Sequence, residues 1–78
     1  MKTVKILYFA SLRELIGVSE SSYEVTELMS AISLWQAINP TITLPGSSLV
    51  AINQSYVSLD SLVKPGDEIA FFPPVTGG

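Results

Sequence analysis

Gly77 and Gly78 close the sequence and have the clearest chemical use of any residues in it. Without side chains, they thread a channel that admits nothing wider, and they adopt backbone angles closed to other residues. The reactive group is then the main-chain carboxylate of Gly78. A carboxylate is a poor electrophile until a partner adenylates it with ATP. Attack by sulfur on the acyl adenylate gives a thiocarboxylate, a soft nucleophile carried by the backbone itself. The preceding residues suit such a use. From Ile69 to Gly78 there is no charged side chain, which favours insertion into a partner's interior. Pro73-Pro74 stiffens the base of the arm and lowers the entropy lost on insertion. Val75, Thr76 and Gly77 would enter with Gly78, and the six residues from Pro73 to Gly78 reach roughly 20 Å when extended.

Other chemistries are poorly supplied. The sequence has no histidine and no cysteine, which excludes catalysis by either, zinc–thiolate sites and disulfides. Ser and Thr are plentiful but lack the usual activating base. Asp60, Asp67 and Glu68 lie near turn signals and read as solvated turn carboxylates rather than acid–base or metal groups. The glycines match no phosphate-binding fingerprint. Four basic and seven acidic residues give a net charge of −3. Lys2, Lys5, Arg13 and Lys64 are too scattered to neutralise a phosphate backbone, so no nucleic-acid partner is expected. The apolar run Ile6–Leu12 is interrupted too soon by Arg13-Glu14 to act as a signal peptide. No segment approaches the roughly 20 apolar residues of a membrane span. The cytoplasm is the expected compartment, with no bound metal or cofactor.

Seventy-eight residues make one domain, and a chain this short hides only about 60% of its unfolded surface. The composition is 47% hydrophobic, with a mean hydropathy of +0.44. Such a balance reflects either a β-branched core or apolar surface kept for a partner. Residues 3–9 read as a strand, with Val4, Ile6 and Tyr8 on one face and Lys5, Leu7 and Phe9 on the other. Ala10–Ile16 reads as one or two helical turns stopped by Gly17. Ser21–Val25 reads as a strand antiparallel to the first. Thr26 is placed to cap a longer helix, with Glu27 near its positive end. Leu28, Ala31, Ile32, Trp35 and Ile38 follow at helical spacing, and Asn39-Pro40 ends the run. Its polar face, Ser30, Ser33 and Gln36, carries no charge; it reads as a solvated face or a second contact surface. Leu49–Asn53 is a further strand, Tyr56-Val57 a short extended stretch and Leu59–Val63 a tight turn. Lys64-Pro65-Gly66-Asp67 fits a type II turn. Glu68–Phe72 is the last strand, because Pro73-Pro74 cannot continue a ladder.

The order ββαβ(β)β with one long helix implies an α+β fold: a mixed sheet with the helix across one face, and the first and last strands parallel at its centre. That is the β-grasp, or ubiquitin-like, roll. Residues 1–72 form the domain and 73–78 an extended tail. If Ile69 and Phe71 face the helix with Ile6 and Tyr8, then Phe72, Phe9 and Leu7 gather on the open face at the root of the tail, as a docking patch would. A one-residue slip in register would reverse the assignment.

The ending Asp67-Glu68-Ile69-Ala70-Phe71-Phe72-Pro73-Pro74-Val75-Thr76-Gly77-Gly78 resembles that of the molybdopterin synthase small subunit, the MoaD family. Leu7-Tyr8-Phe9-Ala10, Arg13-Glu14-Leu15 with Gly17, and Ala51-Ile52-Asn53-Gln54 are similar to that family's first strand, helix and central turn. The resemblance implies a sulfur-donating subunit that is not itself catalytic. A ubiquitin-activating-type adenylyltransferase would adenylate Gly78, consuming ATP, and a sulfur donor system would convert it to thioglycine. Two copies would dock on a dimer of the large subunit as a heterotetramer. Each tail would deliver sulfur to cyclic pyranopterin monophosphate, building the molybdopterin dithiolene. Phe9 and Phe72 match the family's hydrophobic contact with the large subunit. The uncharged helix departs from the more polar one expected. A carrier for thiazole or tRNA thiolation, a ubiquitin-like modifier, or a β-grasp interaction domain without covalent chemistry are the alternatives.

Overall fold

A computed structural model of the chain describes residues 2–74. Alternation in the first apolar run does what its period demands. Strand β1 (Thr3–Tyr8) turns Val4, Ile6 and Tyr8 into the core. Phe9 remains extended beyond it, at φ −116° and ψ 151°, as the N-cap of helix α1 (Ala10–Ile16). Leu12 is the residue α1 buries, and Leu15 is left 49% exposed. The helix stops at Gly17, whose φ of 93° lets its N–H reach the Arg13 carbonyl at 2.8 Å. Strand β2 (Glu20–Glu24) then returns antiparallel to β1.

The second half completes the sheet. Strand β3 (Met29–Ser30) leads into helix α2 (Ala31–Ile38), followed by β4 (Leu49–Ile52), β5 (Ser55–Val57), β6 (Leu62–Val63) and β7 (Glu68–Phe72). The main sheet has five strands in the order β2-β1-β7-β4-β5, and β3 pairs with β6 in a small second sheet. β1 and β7 are parallel, in the register Lys5↔Glu68, Ile6↔Ile69, Leu7↔Ala70 and Tyr8↔Phe71. Ile6, Ile69, Leu34 and Phe71 have no exposed surface, and Trp35 keeps 1%. The Trp35 ring meets Phe71 edge-on at 5.1 Å and Tyr8 at 5.8 Å. Its indole N–H donates to the Ile42 carbonyl at 2.7 Å, so the buried polar atom is satisfied.

The second helix departs from the reading of the sequence. Thr26 does not cap it, and Leu28 is 77% exposed rather than core. The helix begins at Ala31, capped by Ser30, whose Oγ accepts from the Ser33 N–H at 3.2 Å. The cause lies far along the chain. Met29 and Ser30 are held extended against Val63 and Leu62, in the segment read as a turn. The Ala31 and Ile32 N–H groups donate to the carbonyls of Ser61 and Leu59, at 2.9 and 3.0 Å. These bonds satisfy the first donors of the helix, a need a local cap would otherwise meet. The helix is therefore eight residues long, and Leu34 takes the core place assigned to Leu28. Elsewhere boundaries move by a residue, and the type II turn stands: Gly66 has φ 90° and the Asp67 N–H reaches the Lys64 carbonyl at 3.0 Å.

Candidate functional site

Strand register determines what the open face of the sheet displays. Leu7 on β1 pairs with Ala70 on β7, Ala70 with Ala51 on β4, and Ala51 with Tyr56 on β5. These four residues make one row across the sheet. One row nearer the tail, Phe72 pairs with Leu49, and Phe9 lies beside Phe72. One row further away stand Lys5, Glu68 and Ser22, polar groups on neighbouring strands. The open face is thus apolar toward the tail and polar away from it.

The apolar part is shaped as well as composed. The Phe9 and Phe72 rings stack with centroids 4.7 Å apart and planes at 7°. Tyr56 tilts over Phe72 at 5.6 Å and 53°. Between them, the small side chains of Ala51 and Ala70 leave a depression of about 360 Å³, walled by Leu7, Phe9, Tyr56 and Phe72 and bordered by Gln54 and Glu68. Phe9 is 41% exposed and Tyr56 68% exposed. Large aromatic groups held on a surface around a hollow are the composition of an interface core.

The structure therefore brings Leu7, Phe9 and Phe72 together as their parity predicted. It adds Tyr56, which was read only as part of a short extended stretch. The signal was present in the pattern: Tyr56 follows the Asn53-Gln54 hairpin turn, and hairpin pairing carries it onto the face of Ala51. β7 ends at Phe72, and Pro73 and Pro74 continue half-buried outside any strand. Val75, Thr76, Gly77 and Gly78, the residues assigned to the inserted tail, lie outside the described residues.

The turn carboxylates have structural tasks. Asp67 accepts from the Lys64 N–H at 2.8 Å through Oδ2 and from the Asn53 side-chain amide at 2.9 Å through Oδ1. The Asn53 amide oxygen in turn accepts from the Glu68 N–H at 3.0 Å. This clamp ties the β4–β5 hairpin to the start of β7. Asp60 lies in a turn where its N–H donates to Ser58 Oγ at 3.2 Å. On α2, Ser30 and Ser33 bond each other at 3.0 Å, leaving Gln36 as the exposed member of the uncharged face. Among the described residues no three acidic side chains converge as a metal site would require. No helix among them is long and apolar enough to cross a membrane.

A five-stranded mixed sheet with parallel central strands and a helix across one face is a β-grasp protein of the ubiquitin-like kind. Comparison with known proteins agrees. The pattern of the ThiS family matches residues 6–78. The molybdopterin synthase sulfur carrier subunit of Haemophilus influenzae is 45% identical over 80 residues, covering 96% of this chain and 99% of that protein. The subunit of the same name from Escherichia coli is 39% identical over 80 residues, with 96% and 99% covered. In fold, the H. volcanii small archaeal modifier protein 1 superposes with a TM-score of 0.77 at 20% identity, covering 96% of this chain and all of that one. The chain belongs to the ThiS family, and the resemblance read from its tail motif is borne out by these relatives.

Proposed function

We propose that this chain is the sulfur carrier subunit of a molybdopterin synthase, acting in the cytoplasm through the carboxylate of Gly78. An adenylyltransferase of the ubiquitin-activating type joins that carboxylate to AMP, using ATP and releasing pyrophosphate. Sulfur from a donor system displaces AMP, and the C–S bond of a thiocarboxylate replaces a C–O bond. The thiocarboxylate then attacks cyclic pyranopterin monophosphate in the active site of the large subunit, and hydrolysis of the resulting acyl linkage returns Gly78 to a carboxylate. Two small and two large subunits form the working complex. The small subunit holds no cofactor of its own and supplies position and sulfur.

The observation that carries this reading is the aromatic depression around Phe9, Phe72 and Tyr56, which ends where Pro73 begins. A docking surface at the root of an arm fixes the direction in which that arm leaves, so binding strength there is converted into delivery of the tip. Intact-mass measurement tests the proposal. Incubation with ATP, a competent adenylating partner and a sulfur source should exchange one oxygen for one sulfur, and fragmentation should locate the change at Gly78. The product should form the dithiolene when mixed with the large subunit and cyclic pyranopterin monophosphate. An unchanged mass with a partner that is active on another carrier would favour an interaction domain without covalent chemistry.

A further inference from the structure

Ala10 stands in the left-handed region, at φ 51°. That conformation crowds the Cβ of any L-residue, and here no glycine relieves it. Among the described residues, the other left-handed positions are glycines (Gly17 and Gly66), the hairpin pair Asn53-Gln54, or Ser47 in the loop before β4. Ala10 differs from them in its place. It is the first residue of α1, and it directly follows Phe9, which prolongs the extended run of β1.

We infer that Ala10 is a positioning residue for the docking face, a backbone pivot that holds Phe9 against Phe72 before any partner arrives. The inference rests on the docking role proposed above. The local geometry gives the reason. Phe9 keeps the extended conformation of β1, so the alternation of the strand sends its ring to the open face with Leu7. Its N–H donates to the Phe71 carbonyl at 3.2 Å, which anchors it to β7. Its carbonyl accepts from the Leu12 and Arg13 N–H groups at 3.0 and 3.4 Å, doing the work of a cap for a helix that has no capping side chain. Both sets of bonds can form only if the chain reverses within one residue, and the left-handed turn at Ala10 provides that reversal. Leu12 then falls into the core while Phe9 stays outside, 41% exposed yet stacked.

Holding an exposed ring in its bound position reduces the rotamer freedom lost when a partner covers it. Strain at a non-glycine left-handed residue persists where the surroundings over-determine it, and such residues gather at functional surfaces. Alanine suits the task better than glycine, since glycine would leave the pivot free to visit many more conformations.

The test uses the isolated chain first. Ring-proton chemical shifts of Phe9 and Phe72 report stacking, and methyl shifts of Val4, Ile6 and Ile69 report the core. Ala10→Asn, which tolerates the left-handed region, should keep the stacking shifts. Ala10→Val, β-branched and intolerant of it, should lose them while the core methyl shifts stay in place, and should weaken binding to the large subunit roughly tenfold. Stacking shifts retained in Ala10→Val, or lost in Ala10→Asn, would overturn the inference. Should Ala10→Val fail to fold, a chain assembled by ligation with D-alanine at position 10 decides the matter. D-Alanine prefers the left-handed region, so the stack should persist and the thermal midpoint rise; a lower midpoint or a lost stack would refute the pivot. These shifts require no sulfur chemistry, so their outcome is independent of the mass test at Gly78.

Discussion

The Phe9 and Phe72 rings lie nearly parallel at 4.7 Å, Phe9 just past the end of β1 and Phe72 on β7, its parallel neighbour in the main sheet. Phe72 is also the last residue of β7 before Pro73. A negative charge there would disrupt the depression without entering the core, because the core side of β7 is supplied by Ile69 and Phe71. Phe72→Asp should therefore weaken association with the large subunit by at least roughly thirtyfold, the scale of an aromatic hot spot. Global stability should fall by only about 1 kcal/mol, the worth of a surface aromatic pair. Calorimetric titration and urea unfolding measure the two effects. A stability loss several times larger, with unchanged affinity, would place Phe72 in the core instead.

The Asn53 clamp offers a second prediction, which separates hydrogen bonding from backbone shape. The Asn53 side chain bonds Asp67 and the Glu68 N–H, and its backbone sits at φ 51°. Asn53→Gly removes the amide but keeps the left-handed turn accessible. Its expected loss is about 1 kcal/mol, near the net value of partly solvated hydrogen bonds. Asn53→Ala loses the same bonds and adds the left-handed penalty of roughly 1 kcal/mol more. Chemical denaturation should rank wild type, then the glycine variant, then the alanine variant. Equal stability of the two variants would mean that the turn does not depend on Asn53's backbone conformation.

Much of this architecture was legible from local pattern. The alternation of Val4, Ile6 and Tyr8, the stop at Gly17, the Pro65-Gly66 turn and the parity of Ile69 and Phe71 each follow from a period or a steric rule that acts within a few residues. What escaped depended on partners distant in sequence. The true start of α2 is fixed by carbonyls of Leu59 and Ser61, some thirty positions on, and nothing near Thr26 announces them. Tyr56 joined the aromatic face only once its hairpin partner was known to be Ala51. Leu28 satisfied the helical spacing, but spacing cannot say where a helix begins.

Removal of Gly78, or addition of one residue after it, should abolish sulfur transfer while leaving the thermal midpoint unchanged. The core formed by the described residues runs from Val4 to Phe71. On the proposed mechanism, extension moves the carboxylate one residue's length, about 3.4 Å, past the reacting position. Near-attack chemistry tolerates far less displacement than that. Thiocarboxylate formation by mass and dithiolene production in the reconstituted synthase provide the readout. Retained dithiolene production by either variant would overturn the requirement for a carboxylate placed at Gly78.

Leu34 and Leu28 give the sharpest contrast between pattern and place. Both are leucines within or near the same helix, six residues apart in sequence. Leu34 has no exposed surface and packs with Trp35 and Ala31 in the core under the sheet. Leu34→Ala should destabilise the fold by about 2–5 kcal/mol, a large share of what a chain this size possesses. Leu28 is 77% exposed and precedes β3, so Leu28→Ser should change stability by no more than about 0.5 kcal/mol. Urea midpoints for the two variants, read by Trp35 fluorescence, compare them directly. A helix that instead began at Thr26 would bury Leu28, and the two substitutions would then cost similar amounts.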